Sequence, residues 1–149
     1  MASLDELYRE VILDHYRNPR RSGTLDAPDA HAEGQNPLCG DEISLDLALD
    51  GDTVTNVAVT GRGCSISQAS ASMMAERIVG LTTAEVADLT HRFKVMMDIE
   101  EGDAGIDPDR PGEALGDLEA LQGVRRFPIR IKCADLPWEA LSMALSAEG

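Results

Sequence analysis

The chain has 149 residues, a formal net charge of −14, 43% apolar residues and only 3% aromatic ones. That is enough for one core, which must rest on Leu, Val, Ile, Ala and Met, so a single domain over residues 1–149 is expected. The charge excludes a general affinity for nucleic acid or an anionic membrane, because phosphates would be repelled, while leaving a protein partner open.

Residues 3–17 read as an amphipathic helix. Ser3 and Glu6 have capping-box spacing. Leu4, Leu7, Val11 and the Ile12/His15 edge follow helical periodicity, and Asn18-Pro19 stops the run. Acids in the first turn, with no basic region ahead of an apolar run, argue against a signal peptide. No run approaches the roughly 20 apolar residues of a membrane span, so a cytoplasmic protein is expected. Arg17, Arg20 and Arg21 suit either the negative end of the helix dipole or a docking role.

Residues 23–37 read as loop with room for one short strand. A hairpin follows. Ile43, Leu45, Leu47 and Leu49 alternate with Ser44, Asp46 and Ala48. Asp50-Gly51-Asp52 turns the chain, and Val57 and Val59 share a face on the return. This predicts an antiparallel sheet with one wet face. SQASASMMAERIVG then reads as a helix ended by Gly80, with small side chains in its first half that allow close packing on the sheet. Thr82 to Glu85 opens another helix with a capping box, striped by Val86, Leu89 and Phe93. Residues 98–113, DIEEGDAGIDPDRPGE, read as an exposed acidic insertion. Leu115, Leu118 and Leu121 mark a short helix stopped by Gly123. FPIRIKC is expected to be extended because of Pro128, and Pro137 to start a last helix that buries Trp138, Leu141 and Leu145. Strands and helices are segregated, so the class is α+β: a small antiparallel sheet of about three strands, an N-terminal helix and C-terminal helices.

Cys39, Cys64 and Cys133 are odd in number and form no C-x-x-C pair, so they read as reduced thiols and not a disulfide framework. Each stands at an expected element end: Cys39 in the turn NPLCGDE, Cys64 where a strand gives way to a helix, Cys133 after an extended segment. A lone cysteine is more often a buried small hydrophobe. Glycine-flanked turns weaken that reading for Cys39 and Cys64, and a helix N-terminus at Cys64 favours thiolate. Asp41 stands two residues from Cys39, which in extended chain puts both side chains on one side; it also suits a turn aspartate that caps the backbone. Cys39, Asp41, Cys64 and Cys133 would suit tetrahedral Zn²⁺, and the same thiolates would suit an iron–sulfur cluster. Spacing reaches a thiolate metal site and no further. His15, His31 and His91 read as packed or solvated side chains.

At these residues the chain resembles the U-type iron–sulfur assembly proteins, the family of IscU, SufU and the N-terminal domain of NifU. LDELYREVILDHYRNPR resembles the family's opening helix. NPLCGDE matches its N-P-x-C-G-D motif, and GRGCSISQASASMM its G-x-G-C-x-I-S-x-A-S-A-S-M segment. LGDLEALQGV and the following R-I-K-C-A match the SufU branch. Lys132 stands where IscU-type scaffolds have histidine, FPIRIK replaces their L-P-P-V-K segment, and residues 98–113 fit the SufU insertion.

The resemblance implies a zinc site of Cys39, Asp41, Cys64 and Cys133, and a sulfur acceptor loaded with persulfide by a PLP-dependent, SufS-like cysteine desulfurase. In that family a desulfurase side chain takes over a zinc position and frees the first motif cysteine. Carried over, Cys39 is the acceptor, Arg130 would steady the persulfide anion, and a downstream scaffold or apo-protein receives the sulfur. Such a protein is a sulfurtransferase-type partner more than a free-standing enzyme. The alternative is a scaffold whose Cys39, Cys64 and Cys133 ligate iron or a two-iron or four-iron cluster. A purely structural zinc domain fits least, since such sites prefer Cys and His over a carboxylate.

Overall fold

The computed structural model describes residues 4–37, 40–107, 109–110 and 112–148. Their order is α1 (Leu4–Arg17), β1 (Ala30–Asn36), β2 (Asp41–Asp50), β3 (Thr53–Arg62), α2 (Ser65–Ile78), α3 (Thr83–Met96), a 3₁₀ segment (Gly116–Arg126) and α4 (Pro128–Glu148). The α+β class and the N-terminal helix follow the expectation. Ser3, the proposed cap, lies outside the described residues. Leu7 faces outward, and α1 turns Tyr8, Val11, Ile12 and His15 toward the core instead.

The three strands form one antiparallel sheet in the order β1-β2-β3. Ile43, Leu45 and Leu47 point into the core with Val54, Val57 and Val59. A register shift at Ala48/Leu49 takes Leu49 off that row. The other face is drier than alternation predicts. Asp46 is buried there, accepting the Leu25 N–H at 3.0 Å and meeting His31 Nδ1 at 2.6 Å. The loop after α1 also pairs along the outer edge of β3: Gly23 N–H donates to Val59 O, and Val59 N–H to Arg21 O. An uncovered edge strand would leave those groups unmatched.

The core is one cluster between the inner face of the sheet and the helices. α2 lies at its centre, burying Ser67, Ala69, Ser70, Ala71 and Ser72, and small side chains let both α1 and α4 approach it. Each buried hydroxyl then needs a partner. Ser72 Oγ accepts the Arg20 N–H at 2.9 Å and meets His15 Nδ1 at 2.7 Å, while His15 Nε2 meets Asp117 at 2.8 Å. This serine–histidine–aspartate line is a clasp across α1, α2 and the 3₁₀ segment, because both the serine and the imidazole are buried. The expected capping box at Thr82 and Glu85 is present.

Three expectations in the C-terminal half change. Gly123 does not stop the helix that follows Leu115; a 3₁₀ segment runs on to Arg126. Leu115, Leu118, Leu121 and Val124 recur every third residue and are all buried, and a period of three keeps them on one face only in a 3₁₀ winding. FPIRIKC is not extended. The restriction imposed by Pro128 falls on Phe127 alone, which is held out of the helical region at φ −126°, ψ 87°, and Pro128 opens α4 as a first-turn proline. Pro137 therefore lies inside α4. Its missing N–H cannot serve the Cys133 carbonyl four residues back. Side chains brace that turn: Trp138 Nε1–H donates to Ser70 Oγ at 3.1 Å, and the Ser70 hydroxyl donates to Ala134 O at 2.6 Å. Trp138 also stacks on Phe93 of α3, with ring centroids 4.6 Å apart. Beside them, burial pushes the Asp135 carboxyl up to about 6 against the pull of Lys94, 3.5 Å away.

The acidic stretch 98–113 has neither helix nor strand among its described residues. It is not wholly outside the core, because Ala104 is buried and its carbonyl accepts from Arg92 Nε at 3.1 Å. Its end is held by Glu119, a buried carboxylate that accepts the N–H groups of Gly112, Ala114 and Leu115 at 3.0 to 3.1 Å. Glu119→Ala strands these donors and is expected to lower stability by about 3 kcal/mol, read as an earlier midpoint in urea with an unchanged slope.

Candidate metal centre

β1 and β2 meet in register at Asn36 and Asp41, leaving residues 37–40 as their connection. Gly40 N–H donates to Asn36 O at 2.9 Å, and Gly40 takes φ +70°, a conformation that favours glycine. Cys39 sits in this connection by sequence and lies outside the described residues. Asp41 opens β2 and is only 1% exposed.

The Asp41 side chain crosses to the start of α2. Its Oδ1 accepts the backbone N–H of Cys64 at 2.8 Å, and its Oδ2 stands 3.7 Å from Cys64 Sγ. So this aspartate does not cap its own turn but holds a backbone N–H 23 residues away, and the same carboxylate turns a second oxygen to the thiol. Cys64 is half-buried at the helix N-cap, as expected. Gly63 makes the approach possible. A Cβ there would fall 2.0 Å from Asp41 Oδ1, and its φ is +139°.

Cys133 comes from α4. It does not end an extended segment; it lies in the second turn of a helix and is fully buried. The turn of α4 that Pro137 interrupts begins at its carbonyl. Asn36 Nδ2 is 3.9 Å from its sulfur. One ligand atom each from Asp41, Cys64 and Cys133 lie within 4.8 Å of one another. A buried carboxylate facing two thiols needs positive charge near it, and the Cys64 N–H supplies only part of that. Two sulfurs and an oxygen form a donor set that zinc accepts.

Sequence over residues 7–134 matches the family described as NifU-like N terminal domain. The chain belongs to the NifU-like N-terminal domain family. It is 48% identical over 147 residues to the zinc-dependent sulfurtransferase SufU of Bacillus subtilis strain 168, covering 99% of this chain and 95% of that one. It is 39% identical to the iron–sulfur cluster assembly scaffold protein IscU of Streptococcus pyogenes serotype M1, covering 97% and 86%. Among solved structures it superposes with a TM-score of 0.82, at 34% identity, on a protein described as a SUF-system assembly scaffold from Fervidobacterium islandicum AW-1, covering 96% and 99%. For a family member this bears out the SufU-type resemblance, and the solved relative supports the fold.

Arg130 lies on the exposed first turn of α4, three residues before Cys133, and lines a groove with Ser65 and Ile66 of α2. The histidines take no part in the cysteine cluster: His31 pairs with Asp46 and His91 with Glu100. Among the described residues, His15, Glu76 and Asp117 form another group of ligand type. There Arg20 already pairs with Glu76, so the cationic role is filled. Arg20 also pairs with Asp14, and Arg21 binds Asn56, so these two arginines brace the fold. Sequence reading assigned no role to Gly63 or Asn36, although both stand within the quoted motifs. Gly63→Ala is expected to push Asp41 off the Cys64 N–H and to strain a backbone that only glycine adopts easily, at about 1–3 kcal/mol; thermal melting and loss of bound metal to a chelator are the two readouts.

Proposed function

We propose that this protein is a zinc-dependent sulfur acceptor and carrier for iron–sulfur assembly in the cytoplasm, loaded by a PLP-dependent, SufS-like cysteine desulfurase and unloaded onto a downstream scaffold or apo-protein. The observation that carries the reading is the convergence of Asp41, Cys64 and Cys133 beside the connection that contains Cys39. The relative named as a zinc-dependent sulfurtransferase supports it.

In this reading Cys39, Asp41, Cys64 and Cys133 hold Zn²⁺. When bound, the ion keeps its cysteines as thiolates at neutral pH and withholds them from attack. Asp41 Oδ1 stays on the Cys64 N–H, which leaves Oδ2 as the ligand atom and keeps the carboxylate aimed. Cys39, on the short connection between β1 and β2, is the acceptor. Once a side chain of the docked desulfurase has taken its place and freed it, its thiolate attacks the outer sulfur of the desulfurase persulfide. The new S–S bond forms on Cys39 as the old one breaks, and the desulfurase cysteine leaves as thiolate. Sulfur oxidation states simply exchange, so no oxidant or reductant is consumed. Arg130, one turn before Cys133, is assigned to the persulfide anion. The chain thus acts as a partner-dependent sulfurtransferase.

The second reading is a scaffold on which a cluster is built on Cys39, Cys64 and Cys133, favoured by the relatives named as IscU. Lys132, in place of histidine beside the third cysteine, weighs against it.

Purification without oxygen is expected to yield one zinc per chain by elemental analysis; a cluster without zinc selects the scaffold. Cys39→Ser is expected to carry no persulfide after incubation with desulfurase and cysteine, read by intact mass; undiminished persulfide rules Cys39 out as acceptor. Asp41→Ala is expected to lose zinc to a graded chelator at about tenfold lower concentration or less, and equal retention would reduce Asp41 to a cap.

A further inference from the structure

We infer that the sulfur-donating desulfurase docks in the groove between α1, the 3₁₀ segment and the start of α4, through a carboxylate-bearing segment that inserts an apolar side chain. This rests on the sulfur-acceptor reading above. The groove encloses about 690 Å³, with Ile12, Ile66 and Val124 in its wall. Arg9, Arg126 and Arg130 also line it, and no carboxylate does.

That is a local reversal of sign. The chain has 27 acidic residues against 13 Lys and Arg, yet three of those 13 line this one groove. Outside the groove Arg20, Arg62 and Arg110 pair with acids, while Arg21, Arg77 and Arg92 bind neutral oxygens. Arg9 and Arg130 have no ion-pair partner among the described residues. Their charge is left for an acidic partner to match. Phe127 and Ile129, at this same junction, are 60% and 66% exposed. Large apolar side chains set among arginines have the composition of a protein interface, with the aromatic as an anchor.

Position commits the occupant. Ser65 and Ile66 directly follow Cys64, and Arg130 is one turn before Cys133, so a body seated here lies beside the metal centre. The donor must bring its persulfide to that centre, and its docking face should therefore carry the matching carboxylates.

The test measures desulfurase binding by calorimetry for the wild-type protein, Arg9→Glu and Phe127→Ser, at low and high salt. Zinc content and circular dichroism check each variant, and inorganic polysulfide serves as a small sulfur donor. Each substitution is expected to weaken desulfurase binding about tenfold or more. Arg9→Glu should also flatten the salt dependence, and polysulfide loading should stay at the wild-type level. If Phe127→Ser does not fold, Arg9→Glu, on the exposed side of α1, carries the test. Variants that keep zinc and bind desulfurase as tightly as wild type overturn the docking surface alone, and so do variants impaired only in passing sulfur to a recipient. Wild-type protein that neither binds desulfurase nor takes sulfur from it overturns the acceptor reading and the docking surface together.

Discussion

Asp41 Oδ1 accepts the Cys64 N–H at 2.8 Å, and this bond joins the start of β2 to the start of α2. The β2–β3 ladder, which pairs Glu42 with Arg62, already brings these two element starts side by side, and the bond fixes how they face each other. A helix N-terminus leaves N–H groups that need acceptors, and a buried carboxylate needs donors. Each answers the other. The fit is tight enough to forbid a side chain at residue 63. Because one oxygen is spent on the backbone, the other faces Cys64 Sγ with little freedom to turn away.

Cys133 reaches this point by a different route. It is carried on α4, which packs on β1 and on α2. Small residues along α2 allow that approach, and Ser70 receives the Trp138 N–H while donating to the Ala134 carbonyl. Pro137 makes such bracing necessary, since it cannot supply its own helical bond. The proline, the serine and the tryptophan thus act as one unit, and the third ligand-type side chain depends on it.

Charge organises the molecule on a larger scale. Acidic residues outnumber Lys and Arg by 27 to 13, which disfavours phosphate-bearing surfaces. Positive charge is gathered where it has work to do: Arg20 braces α1 against α2, while Arg9, Arg126 and Arg130 surround an apolar groove beside the cysteines. A basic recess on an acidic protein orients an approaching acidic partner.

Local pattern determined much of this protein from sequence alone. Period-two alternation specified the hairpin, capping residues specified α3, and two long motifs marked Asp41 and Cys64 as ligand-type side chains at the ends of elements. These are short-range features, set by neighbours in the chain. What the tertiary structure decided was everything that depends on distant packing. A proline can open a helix or sit inside one, and only the burial of Leu136, Trp138 and Leu141 made α4 begin at Pro128 and run through Pro137. A leucine every third residue fits several windings, and packing selected the 3₁₀ form. Asp46, on the sheet face expected to be wet, and Ala104, within the stretch read as exposed, are both buried. The convergence of Asp41, Cys64 and Cys133 is of this second kind: sequence named the residues, but separations of 23 and 69 positions are bridged only when the sheet end, α2 and α4 are packed together.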